Sequence, residues 1–146
     1  MYKDLLKHVL NEDSVFKPAS KDEIAARKQQ YLDIKIKEVL AKCTKNEDGT
    51  YSCDGDVDLS NLKLTKLPVK FRKVSGGFYC YHNRLTSLEG VPQKVGGNFS
   101  CDYNRLTSLK GASQKVGGSF YCGYNQVKFT EEDVRKVCNV EDEINV

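Results

Sequence analysis

The chain has 146 residues, 39% of them hydrophobic and 29% charged, with 23 basic residues against 20 acidic and a formal charge of +3. That length makes room for one ordinary domain or two very small ones, which argues against a multi-domain enzyme. The apolar content suffices for a core, and the charge excess is well short of that of a dedicated nucleic-acid binder.

Residues 1 to 54 read as a helical segment followed by a hairpin. Leu5, Leu6, Val9 and Leu10 predict a short helix, and Lys17-Pro18-Ala19 breaks the chain. Ser20, with Glu23 three residues on, is a capping box that opens a longer helix to about Cys43. On a helical projection Ile24, Ala25, Leu32, Ile36, Val39, Leu40 and Cys43 share one apolar half, which suits a cap packed on the end of a larger structure. Asn46-Glu47-Asp48-Gly49 predicts the turn of a hairpin whose arms begin at Cys43 and end at Cys53. The N-terminus MYKDLLKHVLNEDS has no apolar core of signal-peptide length, and no stretch approaches the ~18 apolar residues of a membrane span. A cytoplasmic protein without membrane contact is therefore expected; Cys43 and Cys53 are placed to pair across the hairpin, but in that compartment free thiols are the favoured reading and a disulfide the minority one. The sequence has no CxxC spacing and only His8 and His82 as histidines, so neither a metal nor another cofactor is expected.

From residue 74 the chain repeats. Residues 74 to 94, 95 to 115 and 116 to 136 align without gaps at a period of 21 residues. The recurring columns are Val74, Val95 and Val116; Phe78, Phe99 and Phe120; Cys80, Cys101 and Cys122; Asn83, Asn104 and Asn125; Leu85, Leu106 and Val127; and Leu88 with Leu109. One period earlier, Val57, Leu59, Leu64 and Leu67 fall in the Phe, Cys, Leu and Leu columns, giving three and a half to four coils. Phe78 and Cys80 are two apart, so on a short strand both face one side and Tyr79 and Tyr81 the other. A single coil buries too little apolar surface to offset ~1.5 kcal/mol of ordering entropy per residue. Stacked coils share their burial, join their strands into a parallel sheet and fold together. Inward asparagines then serve the backbone of adjacent turns, because an amide both donates and accepts. The cysteine column is explained as a small inward hydrophobe, and the Gly-Gly pairs as turns, since they lack the spacing of phosphate-binding loops.

The pattern F-x-C-x-x-N-x-L over about residues 55 to 136 resembles the leucine-rich repeat, L-x-L-x-x-N-x-L, with Phe and Cys in the two strand positions. It departs from that family upstream of the strand, where V-x-G-x stands for the leading Leu, and in the first coil, where Leu62 occupies the Asn column. The short Gly-Gly, Cys-containing form is similar to small proteins of bacteria and their tailed phages. The resemblance implies an α/β solenoid with a parallel sheet: an N-terminal helical and hairpin cap (1 to 54), repeats (55 to 129) and a C-terminal helical cap (130 to 146). Thr130 with Asp133 signals the start of that last helix, and Val134, Val137 and Cys138 give it an apolar side.

In such a fold the outward strand positions line a concave face, here rich in tyrosine and followed at once by arginine. The predicted partner-binding set is Tyr79, Tyr81, His82, Arg84, Asp102, Tyr103, Arg105, Tyr121 and Tyr124. Tyrosine brings large rigid contact area and arginine bidentate bonds, the composition of a recognition surface. Lys73, Lys94 and Lys115 form a second row, read as a solvated solubility feature. His82 lies near Cys80 in sequence, but an inward Cys80 denies it a nucleophile, and no catalytic triad or carboxylate pair emerges. The expectation is a non-catalytic module that binds a protein partner, a bacterial host protein. By the phage resemblance it would inhibit a defence or housekeeping enzyme. The alternative is a single-stranded nucleic-acid binder in which the same tyrosines stack bases and Arg84 and Arg105 follow the backbone, with Asp56, Asp58 and Asp102 against it.

Overall fold

The computed structural model describes residues 17 to 146, so the helix predicted at Leu5 to Leu10 lies outside the described residues. Helix α1 (Lys21–Leu40) opens on the expected capping box: the Ser20 N–H donates to Glu23 Oε2 at 2.7 Å and the Glu23 N–H to Ser20 Oγ at 3.2 Å. None of its residues is buried, and Ile24 and Ile34 are 42% and 50% exposed, so it is not the sealed cap expected from its projection. Lys28 and Lys35 fall between Ile24 and Val39 on the helical projection, inside the apolar half. The chain divides within this helix into two compact units, Met1–Leu32 and Asp33–Val146.

That second unit is a parallel-strand solenoid of about five turns, each giving one strand to each of two sheets. The first sheet runs β1 (Cys43–Lys45), β2 (Tyr51–Cys53), β4 (Phe71–Val74), β6 (Lys94–Val95), β8 (Lys115–Val116) and β10 (Asn139–Val140). The second runs β3 (Val57–Asp58), β5 (Phe78–Tyr79), β7 (Phe99–Ser100), β9 (Phe120–Tyr121) and β11 (Ile144–Asn145). Only β1 and β2 pair antiparallel, as the predicted hairpin. Asp48 closes its turn by accepting the Thr50 N–H at 3.0 Å. The register sets Cys43 directly opposite Cys53, and the two form a disulfide in place of the expected free thiols.

The expected helical C-terminus is helical only over α2 (Glu131–Val137), where Thr130 and Asp133 form the predicted capping box. The chain then adds β10 and β11, completing a further turn in which Val140 pairs with Val116 and Ile144 with Phe120. Those pairs are 24 residues apart, because the helix lengthens this turn by three, so a strict 21-residue comparison passes over it.

Whole-period register stacks like on like. Phe78, Phe99 and Phe120 are fully buried with ring centroids 5.9 and 4.8 Å apart, and Cys80, Cys101 and Cys122 lie beneath them at 0, 0 and 1% exposure. The asparagine ladder bonds as the repeat requires. Asn83 Oδ1 accepts the Leu64 N–H at 2.9 Å, while its Nδ2 donates to Leu59 O at 2.8 Å and Cys80 O at 3.1 Å. Among the described residues, no buried side-chain polar atom lacks a partner.

The thiol column sets the alkaline limit of stability. Burial pushes Cys80 and Cys101 far above the ordinary thiol range and Cys122 up to about 12. The fold thus holds protons that an unfolded thiol, ionising near ~8.5, releases. Stability is fully present below that pH and falls as pH rises toward the folded values, by about 1.4 kcal/mol per pH unit for each buried thiol. Urea midpoints should be flat from pH 6 to 8 and drop from pH 9 to 10, and Cys101→Val should make the drop shallower. An unchanged slope in Cys101→Val would refute this account.

Candidate binding face

The outer row of the second sheet is Asp58, Tyr79, Ser100, Tyr121 and Asn145, in consecutive register. Tyr79 and Tyr121 are half-buried and flank Ser100, which is 7% exposed, so the sheet face offers less tyrosine than outward alternation suggested. The Tyr79 phenol lies over Gly77, where any Cβ would collide with its hydroxyl. Burial, then the carboxylates of Asp56 and Asp58, hold that phenol above its usual range. Tyr81 meets Tyr79 and His82 edge to face, at 6.5 and 5.7 Å.

Beyond the strands the chain turns a corner, and the exposed aromatic surface is there. His82, Tyr103 and Tyr124 stack face to face, with centroids 4.3 and 4.4 Å apart and planes within 14° and 9°. Their φ angles are 50°, 53° and 54°, in the left-handed region, and Asn61 at 59° holds the same place in the first coil. Backbone bonds fix them there: the His82 N–H donates to Asp102 O at 3.2 Å and the Tyr103 N–H to Gly123 O at 3.0 Å. Asparagine tolerates this conformation, whereas other L-residues give up ~1–2 kcal/mol. Tyr103 and Tyr124 are nonetheless 41% and 76% exposed, so the strained positions carry aromatic surface into solvent. The Tyr103 phenol is held above its usual range by burial against its neighbours, then by Tyr124 and Asp102.

All nine predicted residues lie on this sheet face or its corner. Tyr79, Tyr81, Asp102 and Tyr121 are half-buried on the sheet, His82, Tyr103 and Tyr124 form the ladder, and Arg84 and Arg105 are exposed two residues beyond it. Sequence reasoning missed Lys63, which begins the arginine row one coil earlier, and it missed that the face's acids are engaged. Asp56 Oδ1 accepts the Gly77 N–H at 2.7 Å, Asp58 Oδ1 the Ser60 N–H at 2.9 Å, and Asp102 the Ser100 hydroxyl. The available signal was Asn61, a left-handed-tolerant residue heading the column that becomes aromatic.

No family model matches the chain, and neither a characterised protein nor a solved structure matches it. Its chemistry therefore rests on geometry. Cys80 is fully buried while His82 is stacked outside on Tyr103, so the two do not form a nucleophile–base pair. Among the described residues, no group of three or more His, Cys, Asp or Glu is placed to hold a metal. On the first sheet Lys73, Lys94 and Lys115 stack in register, and Lys115 pairs with Glu141 at 3.1 Å. None of the described helices is long and apolar enough to cross a membrane.

Proposed function

We propose that the chain is a non-catalytic interaction module of leucine-rich-repeat type that binds a protein partner through the aromatic corner and the adjoining sheet face. The observation that carries this reading is the stacked, solvent-facing His82–Tyr103–Tyr124 ladder, held in a backbone conformation that aromatic residues avoid. A purely structural turn is better served by asparagine, as in the first coil, and local strain that a stable framework maintains points to function. Rigid tyrosine surface beside arginine is what interface anchors are made of. By the resemblance to small bacterial and phage repeat proteins, the partner is a bacterial host protein that the module inhibits in the cytoplasm. There the Cys43–Cys53 bond would be reduced. The bond joins only β1 to β2, ahead of the ladders that hold the coils together.

The double substitution Tyr103→Asn with Tyr124→Asn tests the reading. Asparagine relieves the left-handed strain while the stacking, worth ~0.5–1.5 kcal/mol per pair, is lost, so the two effects nearly cancel. The thermal midpoint should stay within a few degrees of wild type while affinity capture from bacterial lysate loses its partner. Retention of the same partner by the variant would overturn the proposal.

A further inference from the structure

We propose that Lys63, Arg84 and Arg105 are the charge-reading half of this face and that the partner presents an acidic, extended segment to them. The inference rests on the protein-binding reading above and adds the chemistry of what is bound. The three cations follow the ladder column by two residues in successive coils, so they rise along the corner at the strand spacing of about 4.8 Å. Some cations of the described surface pair with acids, among them Lys70 with Glu89, Arg72 with Asp48 and Lys115 with Glu141, all within 3.3 Å; what sets the three apart is their place in one row beside the aromatic ladder.

Among the described residues, no carboxylate pairs with Lys63, Arg84 or Arg105. The acids nearest in sequence pattern are turned to the chain's own needs, Asp56 and Asp58 to backbone N–H groups and Asp102 to the Ser100 hydroxyl. Like charges stacked in successive coils repel, a penalty that incoming carboxylates would relieve while gaining bidentate guanidinium bonds. An extended segment shows a side chain on one side every ~6.8 Å. Long flexible arginines one coil apart can meet that spacing while the ladder edges pack beside it.

The geometry favours protein over nucleic acid. Single-stranded nucleic acid is held by stacking its bases on aromatic faces. In this ladder each ring face is taken by the next ring at 4.3 or 4.4 Å, and the outer face of Tyr124 is what a base could still reach.

The test is fluorescence anisotropy on the full chain with three probes of equal label: deca-glutamate, a 20-nucleotide oligo-dT and an uncharged Gly-Ser decapeptide. The variants are Arg84→Gln with Arg105→Gln, the charge-matched Lys94→Gln with Lys115→Gln on the other sheet, and Tyr103→Asn with Tyr124→Asn, each checked for wild-type circular dichroism. Deca-glutamate should bind the wild type best, at least tenfold more weakly to the arginine variant, and within twofold of wild type to the lysine variant. Equal loss in the arginine and lysine variants, or no binding to the wild type, would overturn the inference. Tighter oligo-dT binding lost with the same arginines would overturn it in favour of nucleic acid. A failure here, with lysate capture still lost in the tyrosine variant, removes the acidic-segment claim and leaves protein binding standing. Capture retained by the tyrosine variant removes the protein-binding reading itself.

Discussion

Replacing Asn104 with alanine should lower the stability of the solenoid by about 3 kcal/mol, one of the two largest effects expected in the molecule. The side chain is 8% exposed and sits between two coils that both depend on it. Its Oδ1 accepts the Leu85 N–H at 3.0 Å, and its Nδ2 donates to Cys80 O at 2.9 Å and to Cys101 O at 3.1 Å. Alanine leaves the Leu85 N–H without a partner in a dry interior, at about 1–3 kcal/mol, takes one of two side-chain bonds from each of Cys80 O and Cys101 O, which keep those from Asn83 and Asn125, and adds a small cavity. Asn125 makes the same bonds in the last 21-residue repeat, but it is only half-buried, so water can replace part of what is lost. Asn125→Ala should cost about half as much. Urea unfolding of the two variants measures the difference, and an equal or smaller loss for Asn104→Ala would refute the ladder as the main polar support of the stack.

The second large effect belongs to Gly96. A Cβ there would fall well inside contact distance of the Ser75 carbonyl oxygen, and the same contact recurs one coil on, between Gly117 and the Gly96 carbonyl. The backbone cannot step aside cheaply, because the Gly96 N–H donates to Val74 O and the Gly97 N–H to Gly76 O, both at 2.9 Å. Gly96→Ala must pry two coils apart at their tightest corner, a loss of about 3 kcal/mol by comparison with other overpacked interiors. Gly49 is the control. It has φ of +82° in the hairpin turn and open space around the missing Cβ, so alanine there meets only backbone strain, about 1 kcal/mol. Equal midpoints for the two variants would refute the close approach of coils as the reason for glycine at the corner.

Much of this was legible in the amino-acid sequence, for a reason particular to stacked repeats. When each coil lies on the previous one in register, the residue 21 positions away becomes the spatial neighbour, so a column in the alignment is also a row in the structure. The burial of Phe78, Cys80 and Leu85, the inward asparagines and the lysine row could all be read from the period. Alternation on the strands placed Tyr79, Tyr81, Asp102 and Tyr121 on the face, and the 21-residue columns beyond the strands supplied His82, Arg84, Tyr103, Arg105 and Tyr124.

The tertiary structure decided what periodicity does not encode. The last turn escaped because α2 changes its length, and α1 buries none of its residues although its sequence carries an apolar half. The Cys43–Cys53 bond depends on the register of a single hairpin. At the candidate site the sequence determined which side chains fall in the same row, since that follows from the 21-residue period. Which of them are available was decided by local hydrogen bonding and backbone sign: Asp56, Asp58 and Asp102 are committed to the chain's own groups, whereas a left-handed turn stacks His82, Tyr103 and Tyr124 beside arginines that no acid pairs with. A repeat pattern specifies direction from the core, but the partners of a polar group are chosen only when the coils have stacked.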